Sequence, residues 1–185
     1  VARGTLRTGL HKLTAEGLVV QIPYTGWEIA TLTDGDLWEI WTLRGSLESL
    51  AARIVADRKD PLVLAKIKSG FDALVQACNS GKASLADRLD FELHQMIVTG
   101  TGHQRLIQQY AVIAQQIRLY IVTTNERVCN NVLELISEHR PIIEAILAGD
   151  AKEAAYAAWL HNESLSREAM MADEENKLKA ASLKT

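Results

Sequence analysis

The sequence of 185 residues has only two cysteines and three prolines, few aromatic side chains and no excess of basic charge. Cys78 and Cys129 stand alone, without the spacing of a zinc or redox pair, which is typical of buried cysteines in a reducing compartment. No apolar run approaches the ~20 residues of a membrane span and no signal peptide is visible, so we expect a cytoplasmic protein. The net charge of −3 excludes an overall basic surface, although a small region can still be locally basic.

The first 32 residues predict a helix followed by a two-stranded hairpin. Leu6, Leu10 and Leu13 form an apolar helical stripe, and Gly17 follows as a C-cap. The segments LVVQIP and GWEIATL predict short strands joined by the turn PYTG. A helix and hairpin in this order form the second half of a winged helix-turn-helix, a DNA-reading unit. We therefore assign residues 1–32 to a partial DNA-binding domain and expect sequence upstream of Val1 to complete it.

Residues 33–185 contain no convincing strand, and their apolar periodicity predicts about six helices with short connections. Apolar residues make up 48% of the chain and the mean hydropathy is −0.02, as in a globular protein with a real core. The fold class is therefore mainly α, a helical bundle followed by a polar tail. The predicted helices are 34–58, 61–80, Ser84–Val98, His103–Thr124, one ending at Leu147 that either begins near Ser137 or kinks at Pro141, and one from Asp150 to about Met171. On the first of them the expected buried side is Leu37, Ile40, Trp41, Leu43, Leu47 and Leu50.

Four potential metal ligands lie on three of these helices. Asp90 and His94 are four residues apart, so a helix places both on one face. His139 opens an apolar run and His161 lies in the last helix. One carboxylate and three imidazoles suit a borderline divalent ion, zinc first, with nickel or manganese as alternatives. A single buried histidine is more often an ordinary core residue, but three histidines together with an aspartate favour metal binding. His11 and His103 do not belong to such a set, and we expect them at the surface or in turns.

Several segments resemble one family of transcription regulators. ARGTLRTGLHKLTAEGLV is similar to the recognition helix of GntR-family regulators, and LWEIWTLRGSLESLAARIVA, LDFELHQMI, SEHRPIIEAILAGD and WLHNESL resemble the effector-binding FCD domain of the FadR subfamily. The resemblance spans nearly the whole chain. It departs from the family at Gly4 and Thr5 and at Thr8 and Gly9, and Gly9 inside a helix costs roughly 1 kcal/mol relative to alanine.

The resemblance implies positions for the functional residues. The subfamily's metal ligands fall on Asp90, His94, His139 and His161, its DNA-contacting arginines on Arg3 and Arg7, and its wing glycine on Gly26. We expect polar residues close to these two arginines, on the helix and at the tip of the wing, to contact DNA as well. They are Thr5, Thr8, Lys12 and Thr25. Two arginines alone would fit an ordinary solvated face better, but the adjoining hairpin favours DNA.

The expected effector is a small carboxylic acid beside the metal. Arg118 is the candidate clamp for its carboxylate, although an exposed cation covering apolar surface is nearly as good an interpretation. Gln115, Tyr120 and Asn162 are further candidates. Arg44 and Glu48 fit a helix-surface ion pair, whereas the resemblance implies a position near the inner face of the effector domain, and neither residue is assigned a role. Trp27, Trp38 and Trp41 are interpreted as packing at the domain junction.

The function that these features predict is a ligand-responsive regulator, a homodimer on a pseudopalindromic operator. Two alternatives stay open. A metal-dependent enzyme acting on a small organic acid would use the same ligands, but no further acid–base residue is suitably placed beside them. A helical interaction module with a purely structural metal would also use them, and chelation should then unfold it.

Overall fold

The structure is a computed structural model that describes residues 2–32, 34–124 and 132–163, and within these ranges it contains seven helices and one hairpin. The N-terminal elements are α1 (Arg3–Ala15), β1 (Val19–Ile22) and β2 (Gly26–Ile29). The bundle consists of α2 (Asp34–Arg58), α3 (Pro61–Asn79), α4 (Ala83–Gly100), α5 (Gln104–Thr124), α6 (Glu134–Ala148) and α7 (residues 151–163). The expected class, mainly α with a small two-stranded wing, is confirmed.

The N-terminal helix and hairpin form as the sequence predicts. Gly17 follows α1 with φ of 72°, the left-handed conformation that glycine adopts at low cost. The strands pair antiparallel, with Val19 opposite Ile29. The hairpin packs on α1, where the His11 and Trp27 rings meet edge-on at 5.6 Å. No residue of α1 is buried, so nearly the whole helix surface is available to a partner.

The bundle helices begin and end at the sequence signals expected of them. Asp60 caps α3 by accepting hydrogen bonds from the backbone N–H groups of Leu62 and Val63, and Pro61 takes the first helical position. Gly149 ends α6 with φ of 72°. α6 begins before Ser137 and continues through Pro141. The described part of the last helix, residues 151–163, falls within the predicted one, and its expected continuation to Met171 lies outside the described residues.

α2 lies at the centre of the bundle, packed against α4, α5 and α6. Small residues make this possible, because Ala51, Ala52 and Ala56 are fully buried and let the neighbouring helices approach closely. The main core also contains large apolar side chains from the other helices, including Ile67, Leu74, Leu93, Ile143 and Ile146. A packed core of this kind holds the polar side chains between the helices in fixed positions.

The buried side of α2 differs from the expected one. Leu43 and Leu50 were predicted to be buried, but they are 48% and 39% exposed. Two charged residues occupy the buried face instead, since Arg44 and Glu48 continue the stripe of Leu37. Trp38, expected to pack at the domain junction, is likewise 53% exposed.

The N-terminal helix and hairpin contact the bundle through α5. Gln116 donates a hydrogen bond from Nε2 to the backbone carbonyl of Glu16, at 2.9 Å, just beyond the end of α1. A Cβ atom on Gly17 would lie 2.5 Å from the same Nε2, so the absence of a side chain there allows the approach. A second apolar cluster of Leu37, Ile40, Trp41, Ile113 and Ile117 lies between α2 and α5. Among the described helices, none is both long and apolar enough to span a membrane.

Candidate metal centre

Three helices bring the predicted ligands to one place inside the bundle. α4 carries Asp90 and His94 one turn apart, α6 carries His139, and α7 carries His161. The three histidines are buried, and one ring nitrogen from each lies within 4.8 Å of those of the other two. The convergence expected from spacing alone is therefore present in the part of the chain that the structure describes.

The shortest contacts are centred on His139. Its Nε2 lies 2.9 Å from His94 Nε2 and 2.9 Å from Asp90 Oδ1. The His161 ring stacks on that of His94, with centroids 5.2 Å apart and planes 18° from parallel. Its Nδ1 lies 3.9 Å from Glu138 Oε2. Three imidazoles and one carboxylate thus surround a common point.

Two of the histidines have a hydrogen-bond acceptor facing Nδ1, the ring nitrogen that points away from the other ligands. His94 Nδ1 lies 3.0 Å from Glu48 Oε2, and a carboxylate only accepts, so this nitrogen carries the proton. His139 Nδ1 lies 2.7 Å from the carbonyl oxygen of Leu135, one turn earlier in α6, and donates to it for the same reason. Both neutral rings therefore direct an Nε2 lone pair inward, the arrangement in which a protein presents imidazole to a metal.

These two lone pairs face each other at 2.9 Å, and such a contact requires a positive charge between them. A proton on His139 supplies it in the absence of an ion. Burial alone would lower the pKa of His139, but the negative charge of Asp90 outweighs this and raises it. Burial, with the neighbouring rings of His139 and His94, lowers the pKa of His161 and keeps that ring neutral. The centre therefore favours a positive charge between these rings, and a metal ion that binds there would displace the proton from His139.

The donor set fits a divalent metal ion. Nitrogen and oxygen ligands about 2.0–2.2 Å from an ion are about 3.3–3.6 Å apart around a tetrahedral ion and about 2.8–3.1 Å apart around an octahedral one. The separations of 2.9 Å between His139 Nε2 and both His94 Nε2 and Asp90 Oδ1 agree with the octahedral spacing. Burial alone would raise the pKa of Asp90, but His139 lowers it, so the carboxylate stays ionised. The side chains present can thus hold a borderline ion.

Sequence reasoning assigned no role to the groups behind the ligands. Arg44 and Glu48 occupy the inner position that the resemblance implies and do not form a surface pair: only 6% and 3% of these residues is exposed, and Arg44 Nε donates to Glu48 Oε1 at 2.7 Å. Burial alone would raise the pKa of Glu48, but the charge of Arg44 holds it well below its usual range. The guanidinium also lies 5.0 Å from the centroid of the Trp41 ring. A signal was present, because Arg44 and Glu48 continue the helical spacing of Leu37 and Trp41.

The predicted effector residues lie in different surroundings. Asn162 is buried, and its Nδ2 donates to Glu48 Oε2 at 2.8 Å and to the Ala158 carbonyl at 2.9 Å. Gln115 is exposed. Arg118 is also exposed, with its guanidinium 5.1 Å from the centroid of the Phe91 ring. Tyr120 belongs to α5, but its side chain lies outside the described residues. A small cavity adjoins the ligands, lined by Glu48, Ala52, His94, Ile97, Ile142 and Ala158.

The predicted DNA-contacting residues lie on α1 and the wing, and all of those on α1 are exposed. They are Arg3, Thr5, Arg7, Thr8 and Lys12. Thr8 donates a hydrogen bond through Oγ1 to the Gly4 carbonyl, and Lys12 Nζ lies 3.8 Å from Glu16 Oε1. At the wing tip Thr25 is exposed and Gly26 is half-buried. His103 lies in a turn, as expected, where its Nδ1 accepts a hydrogen bond from the backbone N–H of Leu106.

The buried pair gives a stability prediction. Arg44→Ala leaves Glu48 without its buried counter-charge, so we expect metal-free protein to lose about 3–5 kcal/mol in free energy of unfolding. Lys68→Ala removes an exposed partner at the same i,i+4 spacing and should cost less than about 1 kcal/mol, because solvent screens the pair with Asp72. Urea titration followed by circular dichroism measures both. Equal losses would show that burial of the Arg44–Glu48 pair has no energetic consequence.

Comparison with known proteins places the helical domain in one family. Residues 39–164 match the FCD domain. The Nta operon transcriptional regulator of Aminobacter aminovorans is 28% identical over 120 residues, 64% of this chain and 56% of that protein. The HTH-type transcriptional repressor GlaR of Escherichia coli (strain K12) is 28% identical over 163 residues, 82% of this chain and 72% of that protein.

Solved structures show the same fold. A GntR transcriptional regulator from Rhodococcus sp. RHA1 superposes with a TM-score of 0.71 at 16% identity, covering 93% of this chain and 81% of that one. The relatives are regulators of transcription, which favours that function over the metalloenzyme alternative. Since the family match covers most of the chain, this protein belongs to the FCD-domain family and is a transcriptional regulator of the GntR type.

Proposed function

We propose that this regulator binds a divalent metal ion inside its bundle and, beside the ion, a small carboxylic acid that alters its affinity for operator DNA. The proposed ligands are Asp90, His94, His139 and His161. The observation that carries the proposal is the 2.9 Å approach of two inward Nε2 atoms whose rings already donate through Nδ1. A set of nitrogen and oxygen donors favours zinc, with nickel and manganese as alternatives.

Four protein ligands leave room for an effector on the ion. An octahedral ion would keep two positions open after four ligands, which suits the carboxylate and hydroxyl oxygens of a hydroxy or sugar acid. Zinc held tetrahedrally would have a full shell and would have to expand its coordination to take the acid. When bound, the metal supplies a Lewis-acidic anchor for that carboxylate. Asn162 lies beside the ligands, and Arg118 stacks on Phe91, the neighbour of Asp90 in α4. With Gln115 and Tyr120 they form the proposed effector-contacting set.

We assign operator binding to α1 and the wing, as part of a DNA-binding domain over residues 1–32. The exposure of Arg3 and Arg7 on α1, which has no buried residue, supports this, because a recognition helix must enter the major groove. Arg3 and Arg7 would read bases, while the nearby threonines, Lys12 and the wing tip would contact the backbone. A homodimer would place two such helices on the two halves of a pseudopalindrome in the cytoplasm.

Removal of one ligand tests the metal centre. His139→Ala should weaken zinc binding by at least about tenfold, because it deletes the nitrogen nearest to the other ligands. Chelator competition measures the affinity, and circular dichroism verifies that the helices persist. His103→Asn is the control: it removes a histidine outside the centre and keeps an acceptor at the start of α5. Full zinc occupancy in the His139→Ala protein would remove this residue from the ligand set.

Effector binding should appear as ligand-dependent stabilisation. Zinc-loaded protein screened against small hydroxy and sugar acids should melt about 5–10 °C higher with a matching acid at 100 times its Kd, since such saturation contributes about 2.7 kcal/mol. The corresponding amides should give no shift. If no acid changes the melting temperature or the DNA affinity, and chelation unfolds the protein, the metal is purely structural.

DNA reading depends on α1. In the full-length regulator Arg7→Ala should abolish specific operator binding, because one bidentate contact to guanine contributes about 1–3 kcal/mol at each half-site. Metal content should be unchanged. Fluorescence anisotropy with a selected operator duplex measures binding, and Arg88→Ala, which removes an exposed arginine of the bundle, is the control. Unaltered specific binding by Arg7→Ala would contradict the assignment of α1 as recognition helix.

A further inference from the structure

The buried carboxylate of Glu48 is the point where four helices of the bundle meet. Its Oε1 accepts hydrogen bonds from Arg44 Nε on α2 and Tyr110 Oη on α5, both at 2.7 Å. Its Oε2 accepts from Asn162 Nδ2 on α7 at 2.8 Å and lies 3.0 Å from His94 Nδ1 on α4. Each oxygen therefore faces two donors, and only a carboxylate, with acceptors on both sides, satisfies all four.

We infer that Glu48 is a positioning residue that fixes the tautomer of His94 and thereby makes His94 Nε2 available as a ligand. This rests on the metal centre proposed above. An imidazole that donates through Nδ1 has its lone pair on Nε2, and the reverse tautomer would direct an N–H at the ion. Glu48 itself lies behind His94, because its contact is with the outer nitrogen of the ring.

Arg44 determines how strictly position 48 controls this tautomer. The guanidinium has donors and no acceptor, so the atom facing Arg44 Nε must be an oxygen. In a Glu48→Gln protein the amide oxygen is consequently held toward Arg44, and the NH₂ group turns toward His94 Nδ1. Asn162 Nδ2 then loses its acceptor at position 48 and keeps the Ala158 carbonyl. His94 Nδ1 then accepts a hydrogen bond instead of donating one, and the ring proton moves to Nε2, the proposed ligand atom.

The first test is Glu48→Gln, which is nearly isosteric. Zinc affinity should fall roughly 10- to 100-fold, the usual effect of losing the partner that orients a ligating histidine. In metal-free protein, ¹⁵N chemical shifts of the imidazole nitrogens should show His94 protonated at Nδ1 in the natural sequence and at Nε2 in the variant. A purely structural role for Glu48 would leave the tautomer unchanged. Unaltered affinity and tautomer in the Glu48→Gln protein would overturn the inference.

The second test reverses the first. With Arg44→Met added to Glu48→Gln, the amide is no longer held and can turn its oxygen toward His94, so the Nδ1-protonated tautomer should return. Zinc affinity should recover to within about threefold of that of the natural protein, which two additive losses would not allow. This double variant contains no unpaired buried charge, so its folding does not depend on the ion pair. A loss as large as in Glu48→Gln alone would refute control by Arg44.

A matched control separates the tautomer from general disturbance of the site. Tyr110→Phe deletes one donor to Oε1 and leaves His94 Nδ1 on Oε2, so zinc affinity should stay within about twofold of the natural protein. A tenfold loss in Tyr110→Phe would assign the effect to packing and overturn the inference. Absence of zinc binding by the natural sequence would refute the proposed metal centre, while the His94 tautomer in metal-free protein would still decide the role of Glu48.

Discussion

The contact between the Glu48 carboxylate and its four donors is the constraint around which the bundle is built. Burying one carboxylate is costly unless all its lone pairs find donors, and here α2, α4, α5 and α7 each supply at least one. The carboxylate joins these helices with directional bonds, whereas the surrounding apolar core holds them by area and shape. The same bonds orient a proposed metal ligand, so the stability of the interior and the chemistry of the site depend on one group.

The ligands and the groups behind them differ in how they could be recognised from sequence. Asp90 and His94 have helical spacing, and histidines are uncommon enough that a set of them within an apolar domain stands out. Arg44 and Glu48 have the same i,i+4 spacing as the exposed pair Lys68 and Asp72. Local sequence cannot distinguish such pairs, because their burial depends on which helices pack against them.

The fold was largely predictable because its signals are local. Asp60 with Pro61 marked the start of α3, and Gly17 and Gly149 marked helix ends. The errors on α2 have a physical origin. Its buried face contains alanines and an ion pair in place of large apolar residues, so a search for leucines selected Leu43 and Leu50, which lie at the surface. The helix propensity of the residues indicates that a helix forms, but which face of the helix is buried depends on the helices that pack against it.

α5 contacts both the buried Glu48 carboxylate and the end of α1. Tyr110 bonds to Glu48, and Gln116, six residues later, bonds to the Glu16 carbonyl beside Gly17. At 1.5 Å rise per residue the two side chains are about 9 Å apart along a continuous helix. Turning this helix about its long axis cannot move one contact without moving the other. A rotation of α5 beside the proposed metal and acid site would therefore also displace the contact at the end of α1.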